Sequence, residues 1–210
     1  MKIKKFTFNP FQENTYVLYD ESNEAIIVDP GCFNSLEEKE LSTFISEKSL
    51  IPVRLVNTHA HIDHVLGNKF VADKYKIGLE LFQSEYPMLK MAKTSAELYG
   101  VPYNESPEPS NFLKEGDLLK FGTTALEIIF VPGHSPDHLV FLNKSQKILI
   151  GGDTLFKGSI GRTDLPGGNH DQLIENIKKK LFSLDQEVIV YSGHGDETTI
   201  GEEKANNPFF

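Results

Sequence analysis

A chain of 210 residues, 39% hydrophobic and 24% charged, can bury a substantial core as one large domain or two small ones. Its net charge of −9 argues against a binder of nucleic-acid phosphates, which relies on an excess of Lys and Arg. One cysteine, Cys32, rules out an internal disulfide framework and reads as a small buried apolar residue; with no apolar run of ~20 residues and no signal-peptide pattern, the chain is expected in the cytoplasm.

The first thirty residues predict short strands: Ile3 to Phe8, Tyr16 to Tyr19 and Ala25 to Val28, separated by Asn9-Pro10 and Asp20-Glu21-Ser22-Asn23. Asp29-Pro30-Gly31 ends the third. Ser35 with Glu38 reads as a capping box, opening a helix with Leu36, Leu41, Phe44 and Ile45 on one face. Strand Val53 to Val56 then leads into Thr58-His59-Ala60-His61-Ile62-Asp63-His64, three imidazoles and a carboxylate in six residues. Histidine is the commonest ligand for borderline transition metals, and carboxylates add oxygen donors. In extended backbone residues two apart face the same way, so His59 and His61 can grip one ion. Asp63 and His64 are neighbours and need a turn before both can aim at a second. A helix is expected from about His64.

A helix over about Ser84 to Tyr99 follows, its Tyr86, Met88, Met91 and Tyr99 reading as core, and then a proline-rich stretch from Val101 to Pro109. Strands return at Leu118 to Phe121, Ala125 to Val131, Leu139 to Leu142 and Ile148 to Ile150. Asn169 with Gln172 opens a helix carrying Leu173, Ile174, Ile177 and Leu181, with His170 at its start. Strand Val188 to Tyr191 and a helix near Thr199 to Ala205 complete the pattern. No low-complexity tract or linker interrupts it, so residues 1–210 are expected to form one domain. Strands then helices, repeated once, suit a layered α/β fold with two sheets. The sequence carries no signal for an oligomeric state.

Three further segments share one design: an apolar strand ends, glycine opens a turn, and a metal-competent side chain appears. These are Pro132-Gly133-His134, Gly151-Gly152-Asp153 and Ser192-Gly193-His194. With the histidine run they supply five histidines and two aspartates. Two ions with three terminal ligands each and one bridging carboxylate need seven groups.

On these residues the chain resembles the metallo-β-lactamase superfamily and, within it, the short bacterial form of hydroxyacylglutathione hydrolase (glyoxalase II). The supporting stretches are Gly133-His134-Ser135-Pro136-Asp137-His138, where Asp137 replaces a more usual glycine, Asp153-Thr154-Leu155-Phe156, and Gly158-Ser159-Ile160-Gly161-Arg162-Thr163-Asp164. The resemblance implies an αββα sandwich, two mixed β-sheets flanked by helices. It implies that His59, His61 and His134 hold one divalent metal, that Asp63, His64 and His194 hold a second, and that Asp153 bridges them. Zinc is the expected metal, with iron or manganese as alternatives. Asp63 and Asp153 are the expected catalytic carboxylates. Arg162 stands where a basic residue contacts glutathione, with an ion pair to Asp164 as its other reading. Asp29 is expected to orient a ligand imidazole, and His138 to support the site. The implied reaction is hydrolysis of a small-molecule thioester, S-lactoylglutathione or a relative, by hydroxide formed from metal-activated water. A mononuclear-iron persulfide dioxygenase and a lactone hydrolase are the alternatives. Metallo-β-lactamases typically carry cysteine where Asp153 stands. The chain ends sixteen residues after His194, so the helical domain with which longer relatives bind glutathione is not expected.

Overall fold

A computed structural model describes residues 1–210. The chain divides into two compact units: residues 1–113 with 120–124, and residues 114–119 with 125–210. The expectation of one domain over 1–210 stands beside that division.

The first unit holds a six-stranded mixed sheet: β1 (Lys2–Phe8), β2 (Glu13–Tyr19), β3 (Glu24–Val28), β4 (Ile51–Val56), β5 (Leu79–Phe82) and β6 (Pro109–Leu113), in that spatial order. The first three run antiparallel, and β3 to β6 pair in parallel. Parallel neighbours need crossovers, and helices supply them: α1 (Ser35–Glu47) after β3, α2 (Ile62–Val65) and α3 (Asn68–Tyr75) after β4, and α4 (Tyr86–Tyr99) after β5. Strand β3 is apolar at four successive buried positions, the pattern of a strand covered on both faces. Val17, Ile27, Leu41, Ile45, Leu55 and Leu79 form the centre of this unit's core.

The second sheet has the order β14, β13, β10, β9, β8, β7, from β7 (Leu118–Phe121), β8 (Thr124–Phe130), β9 (Leu139–Asn143), β10 (Ile148–Gly152), β13 (Ile189–Ser192) and β14 (Thr198–Thr199). It too is mixed, with β10 and β13 parallel and the β8–β9, β9–β10 and β13–β14 pairs antiparallel. A small hairpin, β11 (Leu155–Phe156) with β12 (Ser159–Ile160), follows β10. Helix α5 (His170–Asn176) and α6 (Ile200–Asn206) complete the unit. Val140, Leu149, Leu173, Ile177, Leu181 and Val190 pack its core.

Four expectations shift. The cap of α1 is Asn34, one residue earlier than Ser35: its Oδ1 accepts from the amides of Leu36 (2.9 Å) and Glu37 (3.1 Å). The carboxylate that reaches back is therefore Glu37, accepting from Phe33 N at 3.1 Å, and not Glu38. Leu36 is 78% exposed, because five residues on a helix turn it about 140° from the buried Leu41. The apolar run of α5 does not continue as one α-helix, since residues 177–181 wind as a π-turn that still buries Ile177 and Leu181. In α4, Tyr86 and Met88 pack on the core, but Met91 and Tyr99 are exposed.

Strands β5 and β6 escaped the sequence reading. Glu80 breaks the apolar pattern of β5, yet on folding its carboxylate takes Arg54 Nε (2.7 Å) and Nη2 (2.6 Å) from β4 and Asn111 Nδ2 (2.7 Å) from β6. A polar ladder across three strands is invisible to periodicity.

Candidate metal centre

In the first unit the site grows from the ends of β3 and β4. Asp29, just past β3, adopts a left-handed φ of 48° and is buried. Its carboxylate accepts from the amide of Thr58 (2.7 Å), the hydroxyl of Thr58 (2.6 Å) and Asn57 Nδ2 (3.3 Å), tying together the ends of two parallel strands. The Thr58 hydroxyl has one proton and gives it to Asp29. It must then accept at its 3.0 Å contact with His59 Nδ1, which puts the ring proton on Nδ1 and the lone pair on Nε2. His64 is set in the same way: its Nδ1 lies 3.1 Å from Asp29 Oδ2, leaving Nε2 as donor atom. Asp29 thus contacts His64 directly and His59 through Thr58.

His59 Nε2 and His61 Nδ1 are 3.1 Å apart, so the expected pair converges, each through a different ring nitrogen. The turn that Asp63 and His64 required is α2, with His61 as its first flanking residue. It brings Asp63 Oδ2 to 3.6 Å from His64 Nε2. Asp29, His59 and His64 also form a group of converging donors, but the Asp29 oxygens are committed to Thr58, Asn57 and His64 Nδ1.

The second unit assembles His134, Asp153 and His194 at the ends of β8, β10 and β13. Gly133 has φ of 134°, and a Cβ there would lie 2.4 Å from the Leu173 amide nitrogen, so only glycine fits before His134. His134 Nδ1–H donates to the carbonyl of Arg162 at 2.7 Å, which frees its Nε2. That Nε2 and the Nε2 of His194 each lie 3.5 Å from one oxygen, Asp153 Oδ2. Asp153 is held from behind: its amide donates to His138 Nε2 at 2.9 Å, and Gly161 comes so close that a Cβ there would meet the Asp153 carbonyl at 1.9 Å. His138 is buried.

These separations test whether a metal fits. Four donors at 2.0–2.1 Å around one ion stand about 3.3–3.4 Å from one another. The His59–His61 pair at 3.1 Å and the two Asp153 contacts at 3.5 Å bracket that value. The donor set, imidazoles and carboxylates without thiolate, suits divalent zinc, iron or manganese.

Arg162 contributes its carbonyl to His134, while its guanidinium forks onto Asp164 with Nε–Oδ1 and Nη2–Oδ2 both at 2.7 Å. The ion pair with Asp164 is therefore made, and the guanidinium holds the Asp164 carboxyl down at about 2. Cys32 is buried, and burial pushes its thiol far above the usual range, as fits an inert core residue.

Four supporting residues were missed. Glu85, buried ahead of α4, accepts from the Ala60 amide at 2.9 Å, fixing the link between His59 and His61. Asn9 Nδ2 donates to the carbonyls of Gly31 and Asp63, both at 3.0 Å. Asn57 Nδ2 donates to the His64 carbonyl at 3.1 Å. Glu13 is fully buried, accepts from Thr15 Oγ1 at 2.9 Å and lies 3.9 Å from His64 Nδ1; burial pushes its carboxyl well above the usual range against the pull of His64. Nothing local in the sequence distinguishes these from surface polar residues, since each acts on a partner remote in sequence or through a fold-dependent contact.

Comparison with known proteins identifies the family. The family model described as the metallo-beta-lactamase superfamily matches residues 8–194. Hydroxyacylglutathione hydrolase GloC of Haemophilus influenzae is 36% identical over 213 residues, spanning 100% of this chain and 98% of that protein. Among solved structures, the BLEG-1 B3 metallo-beta-lactamase is 36% identical with a TM-score of 0.91, over 99% of each chain. TTHA1623, solved in a di-iron-bound form, is 33% identical with a TM-score of 0.89, over 99% of this chain and 100% of that one. Mixed sheets flanked by helices are thus the fold this chain shares with them. No helix is long and apolar enough to cross a membrane.

Proposed function

The chain belongs to the metallo-β-lactamase superfamily and is a metallo-hydrolase, and from that premise we propose that it hydrolyses a thioester, S-lactoylglutathione or a related hydroxyacyl thioester. The observation that carries the metal reading is the pair of imidazole nitrogens, from His134 and His194, set 3.5 Å from the same oxygen of Asp153. One carboxylate oxygen shared by two separate imidazoles supports reading Asp153 as a bridging ligand. We assign His59, His61 and His134 to one ion, Asp63, His64 and His194 to the other, and Asp153 to both. Zinc is the assigned metal; the di-iron-bound relative supports iron as its rival.

Such ions, when bound, lower the pKa of water from 15.7 toward ~7 and polarise a carbonyl. The chain's own residues prepare for that chemistry. Asp29 and Thr58 hold the His64 and His59 tautomers with Nε2 unprotonated, and the Arg162 carbonyl does the same for His134. Asp63, partly buried and 3.6 Å from His64 Nε2, would accept a hydrogen bond from the attacking water and orient it. A thiolate leaves readily, so no strong general acid is required of the chain. The free, buried Cys32 supports a reducing, cytoplasmic setting.

The similarity to a B3 metallo-beta-lactamase is as high as that to the thioester hydrolase. The carboxylate at 153 therefore separates this chain from β-lactam cleavage less sharply than the motif implies, and β-lactams belong among the substrates assayed. The test is metal analysis with turnover of S-lactoylglutathione and an uncharged lactoyl thioester under an oxygen electrode. Two divalent ions per chain, thioester cleavage and no oxygen uptake are expected. One iron per chain with oxygen consumed on a persulfide would overturn the reading.

A further inference from the structure

Two cations that adjoin residues touching the donor group of the second unit are each matched by an acid. Arg162, whose carbonyl holds His134, turns the Nε and Nη2 edge of its guanidinium onto Asp164. Lys157 follows Phe156, whose ring meets the His194 ring edge-on at 6.1 Å, and its Nζ lies 3.9 Å from Asp196, two residues past His194. Elsewhere in the unit Lys147 lies between Asp185 and Glu187, and Lys180 faces Glu115. A carboxylate-bearing ligand is recognised most strongly by an unspent guanidinium fork. Here the charge of Arg162 is already balanced by Asp164, and such a ligand would meet a chain of net charge −9.

We propose that Asp164 and Asp196 set the specificity of the site by cancelling Arg162 and Lys157, so that it takes acyl thioesters whose carrier thiol bears no net negative charge in preference to carboxylate-bearing carriers such as glutathione. The inference rests on the thioester-hydrolase reading and narrows its substrate class. Both pairs are solvent-exposed, with side chains 59% and 68% exposed at Arg162–Asp164. Exposed pairs contribute little to stability, so removing the acid leaves the fold intact while releasing the cation.

The experiment compares kcat/KM of the metal-loaded enzyme for S-lactoylglutathione with that for the uncharged thioester S-lactoyl-N-acetylcysteamine, which carries the same acyl group. In the wild type the ratio is expected to lie below one and to rise modestly with salt, as the repulsion from the net charge of −9 is screened. In Asp164→Asn and Asp196→Asn it is expected to rise about three- to fivefold, the effect of a released unit charge ~5 Å from a carboxylate in water-like surroundings, and salt should erase the gain. A wild-type preference for the glutathione ester that falls steeply with salt would overturn the proposal, and needs no variant. So would a ratio that stays put or drops in both variants. If neither ester is cleaved, the hydrolase reading itself fails. Calorimetric titration with S-methylglutathione, a thioether that cannot be hydrolysed, then decides the charge argument: tighter binding by the variants sustains it, and equal binding ends it.

Discussion

Single atoms carry the chemistry of this site. The choice of Nδ1 or Nε2 as metal donor is made by a hydroxyl with one proton to give, by one carboxylate and by one backbone carbonyl. His61 differs in that its Nδ1 faces His59. Asp153 is the residue on which the two-ion reading turns, because both imidazoles of its unit face the same oxygen. Asp153→Ala is expected to lower metal content from two ions toward one and to reduce kcat by at least ~100-fold, the scale of losing one catalytic contact. Metal analysis of the purified variant is the check; full metal content together with full activity would sink the assignment. Neither outcome depends on which thiol carries the acyl group.

Elements place these atoms, and their boundaries follow rules that sequence reveals unevenly. Helix α1 begins where Asn34 caps it, and the side chain that reaches back is Glu37. Ser35 and Asn34 are both good caps by composition, and only the backbone decides: Asn34 is extended, as a cap must be. Asn34→Ala should cost about 1 kcal/mol in urea unfolding, and Ser35→Ala only a few tenths. Equal losses would return the cap to Ser35. Helix α2 is one turn long, too short for periodicity to mark, yet it converts the neighbours Asp63 and His64 into converging donors. Strand β5 is likewise hidden by Glu80, which is polar in sequence and satisfied only by strands on either side.

For the whole molecule, stability is linked to pH through Asp20, buried at the end of β2. Burial alone would raise its carboxyl, but hydrogen bonds from the Ser22 hydroxyl and amide, the Thr124 hydroxyl and the Thr123 amide outweigh that and hold it far below the usual 3.8. A depressed folded value means that the stabilisation is fully present above the unfolded value and fades as pH falls through the folded one. Asp20→Asn should therefore cost about 2 kcal/mol at pH 7, and its gap from wild type should narrow steadily below about pH 4. Urea midpoints of both proteins between pH 7 and pH 2 measure it. A gap that widens on acidification would show that the hydrogen bonds do not favour the ionised form.

The sequence by itself determined the metal-ligand candidates, the strand-turn-side-chain design that presents them and most of the regular elements, because each is written in local spacing: His-x-His, glycine before the ligand, apolar period in strand or helix. Only the tertiary structure decided which ring nitrogen of each histidine is offered, which acid takes the Arg162 fork, and that Glu85, Asn9 and Glu13 brace the histidine run. Those answers depend on hydrogen bonds between residues as far apart as Asn9 and Asp63, and a proton's position on a ring is settled by its neighbour in space.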